Sequence, residues 1–290
     1  MYIKRKLKLI TIIMGFFALV VIIMLSSTGG TTKPQDENVF LPIIMYHSLL
    51  KDEKLQNDYV ISPSIFENDL KYLTQNGYTT ITVSDLEDFV FSEKALPEKC
   101  IMLTFDDGYY NNYYYAYPLL KKYNSKIIFS PIVSMTEHYT ELDRFSTTYG
   151  YADNAVIKEM ISSGLVEVQN HTYDMHLLFP RKGISQKVGE SDEEYISLIS
   201  EDLLKAHNYI QNNFDVTANC FVYPFGEKND KALTLIKKLG YICTLTCTEQ
   251  PNYITKNPKS LFELGRYRRD GNESIDTLMK RIIKDGNKLK

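Results

Sequence analysis

The sequence contains no tryptophan, no Cys-x-x-Cys pair, no Gly-x-Gly-x-x-Gly fingerprint and no phosphate loop. Without the paired cysteines a zinc knuckle is unsupported, and without the glycine motifs a nucleotide-binding doubly wound sheet lacks its signature. Internal repeats and low-complexity tracts are also absent. Positive charge is not in excess: 33 Lys and Arg stand against 36 Asp and Glu, a formal net charge of −3. Four of the bases, Lys4, Arg5, Lys6 and Lys8, sit within the first 32 residues, where there is no acid. Residues 33–290 therefore hold 29 bases against 36 acids, a net charge of −7. A nucleic-acid partner calls for the opposite sign on the folded part, so none is expected. What is present, 44% hydrophobic and 24% charged residues, belongs to a folded domain and not to a disordered or collagen-like chain.

Cysteine is scarce as well. Cys100, Cys220, Cys243 and Cys247 fall in or near apolar runs and are expected as small buried core residues. Cys243 and Cys247 read as one strand, on which four residues span roughly 13 Å, too far for a disulfide.

One long uncharged run stands out. Leu9 to Leu25 is 17 residues interrupted only by Thr11 and Gly15, and no charge follows until Lys33. A membrane-spanning helix needs about 20 apolar residues, with about 17 as the lower limit. The basic residues lie wholly on its N-terminal side, which keeps that end cytoplasmic and sends the rest across. Expected are a basic stub over 1–8, a transmembrane anchor or signal segment over 9–30, a polar stalk over 31–39 containing Pro34, and a folded domain over 40–290. Ser26, Ser27 and Gly29 are small enough for cleavage, so a secreted form is the alternative to a single-pass membrane protein. Either way the folded part lies outside the cytoplasm. No Cys follows the apolar run, which argues against a lipoprotein.

Beyond the stalk, β-branched apolar runs alternate with amphipathic stretches. Strands are expected at 41–47, 78–82, 100–105, 126–133, 165–170, 218–223, 241–246 and 260–267. Ser64 with Glu67, Ser84 with Glu87, and Ser191 with Glu194 fit capping boxes, and Gly77, Gly164 and Gly240 sit where helices should stop. The alternation over about 250 residues predicts an α/β fold: a distorted (β/α) barrel of about seven or eight strands. Among 22 tyrosines the densest cluster, 109–117, is expected to pack a helix against the barrel.

The notable polar residues share one kind of place, the carboxyl end of a strand. His47 ends the first run, Asp106 and Asp107 follow the third, His171 follows LVEVQN, and Tyr223 ends ANCFVY. In a barrel these ends form the active-site face. Asp106 and Asp107 are adjacent, so their side chains diverge: one can bind a metal while the other holds or deprotonates a water. His171 and His176 are five apart, a spacing that diverges on a helix and converges only through a loop. One Asp and two His leave coordination positions for water, the pattern of a catalytic metal. His138, in a polar loop, and His207, on an exposed helix face, are expected to have no such role.

LTFDDG (103–108), HTYDMH (171–176) and VYPFG (222–226), preceded by MYH (45–47), resemble in order and spacing the polysaccharide deacetylases of the family-four carbohydrate esterases. The early MYH and the five-residue His spacing resemble most the poly-β-1,6-N-acetylglucosamine deacetylase branch. The resemblance implies metal-dependent removal of N-acetyl groups from an N-acetylglucosamine polysaccharide, an exopolysaccharide or peptidoglycan, with release of acetate. It implies Asp106 as general base, and Asp107, His171 and His176 as ligands of a divalent metal, usually Zn2+. It gives the backbone N–H of Phe225 to the oxyanion. Two departures stand out. Val222 occupies the place of the arginine that braces the base in the common Arg-x-Pro-Tyr motif, where Phe225 replaces Tyr. The late Leu-x-x-His motif that usually supplies the acid is not visible. An amide leaves as a poor amine and needs a proton, and in the branch resembled here the MYH histidine supplies it; His47 is accordingly the expected acid. Arg266, in LGRYRRD (264–270), is the expected replacement brace. The alternatives are an O-acetyl esterase, a small-molecule amidase or a non-catalytic glycan-binding relative. A monomer is expected, with a polysaccharide as substrate and the membrane met through the N-terminal segment.

Overall fold

The structure is a computed structural model that describes residues 38–92 and 94–288. The expected stub, anchor and residues 31–37 of the stalk lie outside the described residues. No helix among the described residues is long and apolar enough to cross a membrane.

The strands are β1 (Val39–Leu41), β2 (Ile43–Tyr46), β3 (Ser48–Leu49), β4 (Val60–Ile61), β5 (Thr79–Thr80), β6 (Cys100–Asp107), β7 (Ile127–Pro131), β8 (Val166–Val168), β9 (Cys220–Val222), β10 (Cys243–Leu245), β11 (Asn252–Ile254) and β12 (Tyr267–Arg268). The main sheet is parallel in the order β12-β2-β6-β7-β8, with β5 paired to the start of β6. β9 and β10 form a separate parallel pair. Single parallel bridges, Asn170 to Phe221 and Leu245 to Leu264, join that pair to the end of β8 and to the chain entering β12. Seven strands thus follow one another around a ring whose two seams are one bridge wide. All eight residues of β6 are buried, as expected of a strand covered on both faces.

Side chains alternate between two cores. Ile43, Met102, Ile128, Cys220, Val222, Cys243 and Leu245 join the helix Val83–Phe91 in one cluster. Ile44, Tyr46, Leu103, Phe105, Phe129 and Phe221 pack outward against the other helices. Cys100, Cys220 and Cys243 are buried as expected.

Local signals explain the differences from expectation. Pro63 takes the first helical position, so Ser62, not Ser64, caps the helix Pro63–Gln75. Thr82 and Asp85, not Ser84 and Glu87, form the box at Val83–Phe91. Ser191 and Glu194 cap Asp192–Phe214 as expected. Gly77, Gly164 and Gly240 follow helix ends at positive φ, also as expected. The strand expected at 260–267 is a 3-10 turn over Pro258–Leu261, started by Asn257 accepting from the Lys259 N–H, and only Tyr267–Arg268 joins the sheet. His138 lies on the helix Val133–Leu142 rather than in a loop. His207 is half-buried, its ring edge-on to Tyr241 at 5.9 Å.

Candidate active site

The end of β6 splits its two carboxylates. Met102, Thr104 and Asp106 share one face of the strand, so Asp106 points where the interior residues point. Asp107 has φ 69 and Gly108 φ 86, which turns the chain sharply and sends Asp107 elsewhere. A left-handed conformation costs a non-glycine residue roughly 1–2 kcal/mol. Thr172 (φ 74) and Phe225 (φ 56) share it, so three of the strained residues cluster at the same strand ends.

Asp106 meets Arg266. The guanidinium donates from Nη1 to Asp106 Oδ1 at 2.7 Å and from Nη2 to Oδ2 at 2.8 Å. Arg266 is fully buried and fixed further by Nε to the Thr246 carbonyl at 2.8 Å and Nη1 to Thr104 Oγ1 at 3.0 Å. Burial pushes the Asp106 carboxyl up, but the charge of Arg266, then that of His171, outweighs it and holds the group below the usual carboxylate range.

Asp107 meets the two histidines. Its Oδ1 lies 3.6 Å from His171 Nε2 and 3.3 Å from His176 Nε2, and the three donor atoms lie within 4.8 Å of one another. That Oδ1 is buried and has no hydrogen-bond partner. His171 Nδ1 is 2.8 Å from the Val222 carbonyl, which can only accept, so Nδ1 carries the proton and Nε2 faces Asp107. Burial pulls the His171 pKa down, yet its contact with Asp107 and the charges of both carboxylates raise it overall. The pocket therefore favours positive charge at this point. Burial, followed by the His171 charge, lowers His176 to about 4, leaving it neutral with a free lone pair near pH 7. An orphaned carboxylate oxygen, two imidazoles and a carbonyl fixing one of them fit a divalent metal ion.

The loop between the histidines is built, not merely permitted. Asp202, buried on the helix Asp192–Phe214, accepts from Tyr173 N and Asp174 N at 2.8 Å each. Asn170 Oδ1 accepts from Thr172 N at 2.7 Å, and Thr172 Oγ1 from Met175 N at 3.1 Å. These bonds bring the two imidazole rings to 5.0 Å.

His47, just past β2, lines the same cleft, with Nδ1 buried and unpartnered. Burial lowers its pKa, against the pull of Asp106 and Asp107. Its carbonyl accepts from Asn112 Nδ2 at 2.9 Å, while Asn111 receives Leu49 N at 3.1 Å and donates to Ser48 Oγ at 2.9 Å. Both asparagines stand at the start of a π-helical turn, Asn112–Ala116, a rare element that recurs at functional sites. Phe225 lines the cleft with its ring 4.4 Å from that of His176.

The cleft encloses about 750 Å³ and gathers His47, Asp106, Asp107, His171, His176 and Phe225; Arg266 stands behind Asp106. Tyr223, expected at the rim, is instead fully buried. Cys247, expected in the core, is half-buried on the cleft wall with Sγ 3.6 Å from Arg266 Nη2. Sequence reasoning passed over Asn111, Asn112 and Asp202; the Asn pair directly after DDGYY was the one available signal.

Comparison with known proteins places these features in context. Residues 93–243 match the polysaccharide deacetylase family model. A putative polysaccharide deacetylase, YxkH of Bacillus subtilis, is 29% identical over 228 residues, 79% of this chain and 71% of that protein. The poly-beta-1,6-N-acetyl-D-glucosamine N-deacetylase of Staphylococcus aureus is 32% identical over 187 residues, 63% of this chain and 59% of that one. Its Escherichia coli namesake is 25% identical, over 72% of this chain but only 34% of its own length. Among solved structures, a de-N-acetylase from Aggregatibacter actinomycetemcomitans superposes with a TM-score of 0.73 at 24% identity, covering 83% of this chain and 99% of that one. IcaB from Ammonifex degensii gives 0.67 at 25% identity, covering 81% and 93%. These two likenesses bear on the fold.

Proposed function

The chain belongs to the polysaccharide deacetylase family, hydrolases of the amide in N-acetylated polysaccharides, and from that premise we propose a metal-dependent removal of N-acetyl groups from an extracellular poly-N-acetylglucosamine. One observation carries the reading: the orphaned Asp107 Oδ1 faces two imidazole nitrogens while its neighbour Asp106 is held ionised by Arg266 in the same cleft.

Asp107, His171 and His176 would hold the divalent ion, most simply Zn2+. Bound there, it would supply Lewis acidity to the acetamide carbonyl and acidity to a water. The remaining work falls to this chain's own residues. Asp106, kept as a carboxylate by Arg266, takes the proton of the attacking water. The Phe225 N–H donates to the developing oxyanion; its left-handed backbone beside His176 supports that role. His47, in its imidazolium form, donates a proton to the departing nitrogen, which otherwise leaves poorly, and burial makes that proton easier to give. Products are acetate and a free amine on the glycan.

The names of the Staphylococcus and Escherichia relatives support a β-1,6-linked polymer as substrate. The apolar run Leu9–Leu25 behind four basic residues supports a single membrane anchor, or a cleaved signal, with the catalytic domain outside. Acetate release from poly-β-1,6-N-acetylglucosamine and from peptidoglycan, each with and without chelator, tests the reading. Chelator-sensitive release from the first polymer is expected. Release that survives complete metal removal, or none from either polymer, would overturn it.

A further inference from the structure

The parallel pair β9–β10 sets Cys220 directly opposite Cys243. Opposed residues of parallel strands point to the same face, and both side chains enter the barrel interior beside Met102, Ile128 and Leu245. Neither is exposed to solvent, and the two thiols are in hydrogen-bond contact. The other cysteines are placed elsewhere. Cys100, on β6, stands opposite Thr79 with its Sγ 3.9 Å from the Phe40 carbonyl, and Cys247 has its Sγ 3.6 Å from Arg266 Nη2.

Neighbouring parallel strands lie about 4.8 Å apart, inside the range of about 4.4–6.8 Å that separates the Cα atoms of a disulfide. A bond also draws the two Cβ atoms to about 3.8 Å, closer than the strand spacing. β9 and β10 have the freedom to give that way, because each joins the rest of the ring through a single bridge. Reactivity sets the moment of bond formation. The attacking species is a thiolate, and burial, then the hydrogen bond with Cys243, pushes the Cys220 thiol well above its usual range. Once the interior has closed the pair is inert, so the bond belongs to folding outside the cytoplasm, where disulfides persist. The export reading of Leu9–Leu25 supplies that compartment; the strand geometry does not depend on it.

We infer that Cys220 and Cys243 are joined by a disulfide in the exported protein, formed by exchange with a small-molecule disulfide as the barrel closes. The Cys220 thiolate attacks the reagent's S–S bond, forming a mixed disulfide and expelling one thiolate. The Cys243 thiolate then attacks the Cys220 sulfur and expels the second. Two electrons pass to the reagent, and the two protons lost by the cysteines end on the two thiols released. The bond closes a loop that carries Phe225 and the Val222 carbonyl, which orients His171. β10 continues into the Thr246 carbonyl, which holds Arg266. The disulfide therefore braces the part of the ring that meets the rest by single bridges, without touching a reacting atom.

Full-length protein refolded from urea with reduced and oxidised glutathione tests it. Free thiols are blocked in denaturant, the chain is digested with trypsin, and linked peptides are sequenced by mass spectrometry. Expected is a linkage from Cys220 to Cys243, with Cys100 and Cys247 blocked. The melting temperature of that protein is expected to fall by about 4–10 °C on reduction, and that of Cys220→Ala or Cys243→Ala not to respond to reductant. Blocked Cys220 and Cys243 in the refolded wild type, a linkage through Cys100 or Cys247, or a wild-type melting temperature that ignores reductant would overturn the bond. Chelator-sensitive acetate release from poly-β-1,6-N-acetylglucosamine by the same samples scores the deacetylase reading separately. Release without the linkage sinks the bond alone, and the linkage without release sinks the deacetylase reading alone.

Discussion

Arg266 and Asp106, 160 residues apart in the chain, share two hydrogen bonds of 2.7 and 2.8 Å inside the barrel. Neither is exposed enough for water to replace the other. Arg266→Leu leaves a buried carboxylate without its partner, a change that costs about 3–5 kcal/mol. It also removes what holds Asp106 below the usual carboxylate range, so burial then raises its pKa. In wild type this depressed group contributes stability above the ordinary 3.8, lost as pH falls through its folded value. In the variant ionisation opposes folding, and the acid limb of kcat/KM moves to higher pH. Urea unfolding and a pH–rate profile check both effects; an unmoved acid limb would count against Asp106 as the base. The double variant Asp106→Asn, Arg266→Leu should recover most of the lost stability without recovering turnover.

Asn112→Ala removes the amide that holds the His47 carbonyl. The stability loss should be small, about 0.5–1.5 kcal/mol for one hydrogen bond. Turnover should fall further, about tenfold to a hundredfold, because a misplacement on the order of 1 Å is enough for such a loss. Metal content should not change. A variant with wild-type kcat, or one that loses metal in proportion to activity, would separate Asn112 from His47.

Gly108→Ala meets two obstacles: φ is 86, and a Cβ would lie 2.7 Å from Pro131 Cβ and 2.9 Å from its Cα. A side chain at such a position costs more than about 1 kcal/mol. Relief of the clash must move the turn that carries Asp107, so metal affinity should drop along with the melting temperature. Retention of both would show that the turn is free to adjust.

Glu190 and Arg181, each with only 8% of its side chain exposed, tie the loop that brings Lys182 to the cleft. The bonds from Arg181 lower the Glu190 pKa from its ordinary 4.5. The tie is therefore fully present above 4.5 and lost as pH falls through the folded-state value. Hydrogen exchange over residues 181–190 should accelerate over that interval, and Glu190→Gln should accelerate it already at neutral pH. Equal protection in wild type and variant would remove the tie.

The alternation of strands and helices was legible, and with it the gathering of Asp106, Asp107, His171 and His176, because parallel strands deliver polar residues to one rim. The five-residue histidine spacing demanded a loop, and a loop bonded to Asp202 is present. Arg266 could be nominated from its place after the last apolar run, but its path through the barrel to Asp106 is a tertiary fact. Three features stayed hidden for physical reasons. Pro63 decides the helix start in favour of Ser62, a preference that outweighs the apparent Ser64–Glu67 box. Asn257 and Pro258 start a 3-10 turn that takes the first residues of a run that otherwise reads as a strand. The π-helical turn that aims Asn111 and Asn112 at the His47 loop has no local pattern, since its partners lie more than 60 residues away.

The most direct test is a zinc titration of chelator-stripped full-length wild type, Asp107→Ala and Asp106→Asn, with acetate release measured on the same samples. One equivalent bound by wild type and by Asp106→Asn, none by Asp107→Ala, and turnover in wild type alone is the expected result. Stoichiometric zinc on Asp107→Ala, or normal turnover by Asp106→Asn, would contradict the division of labour between the two neighbouring carboxylates.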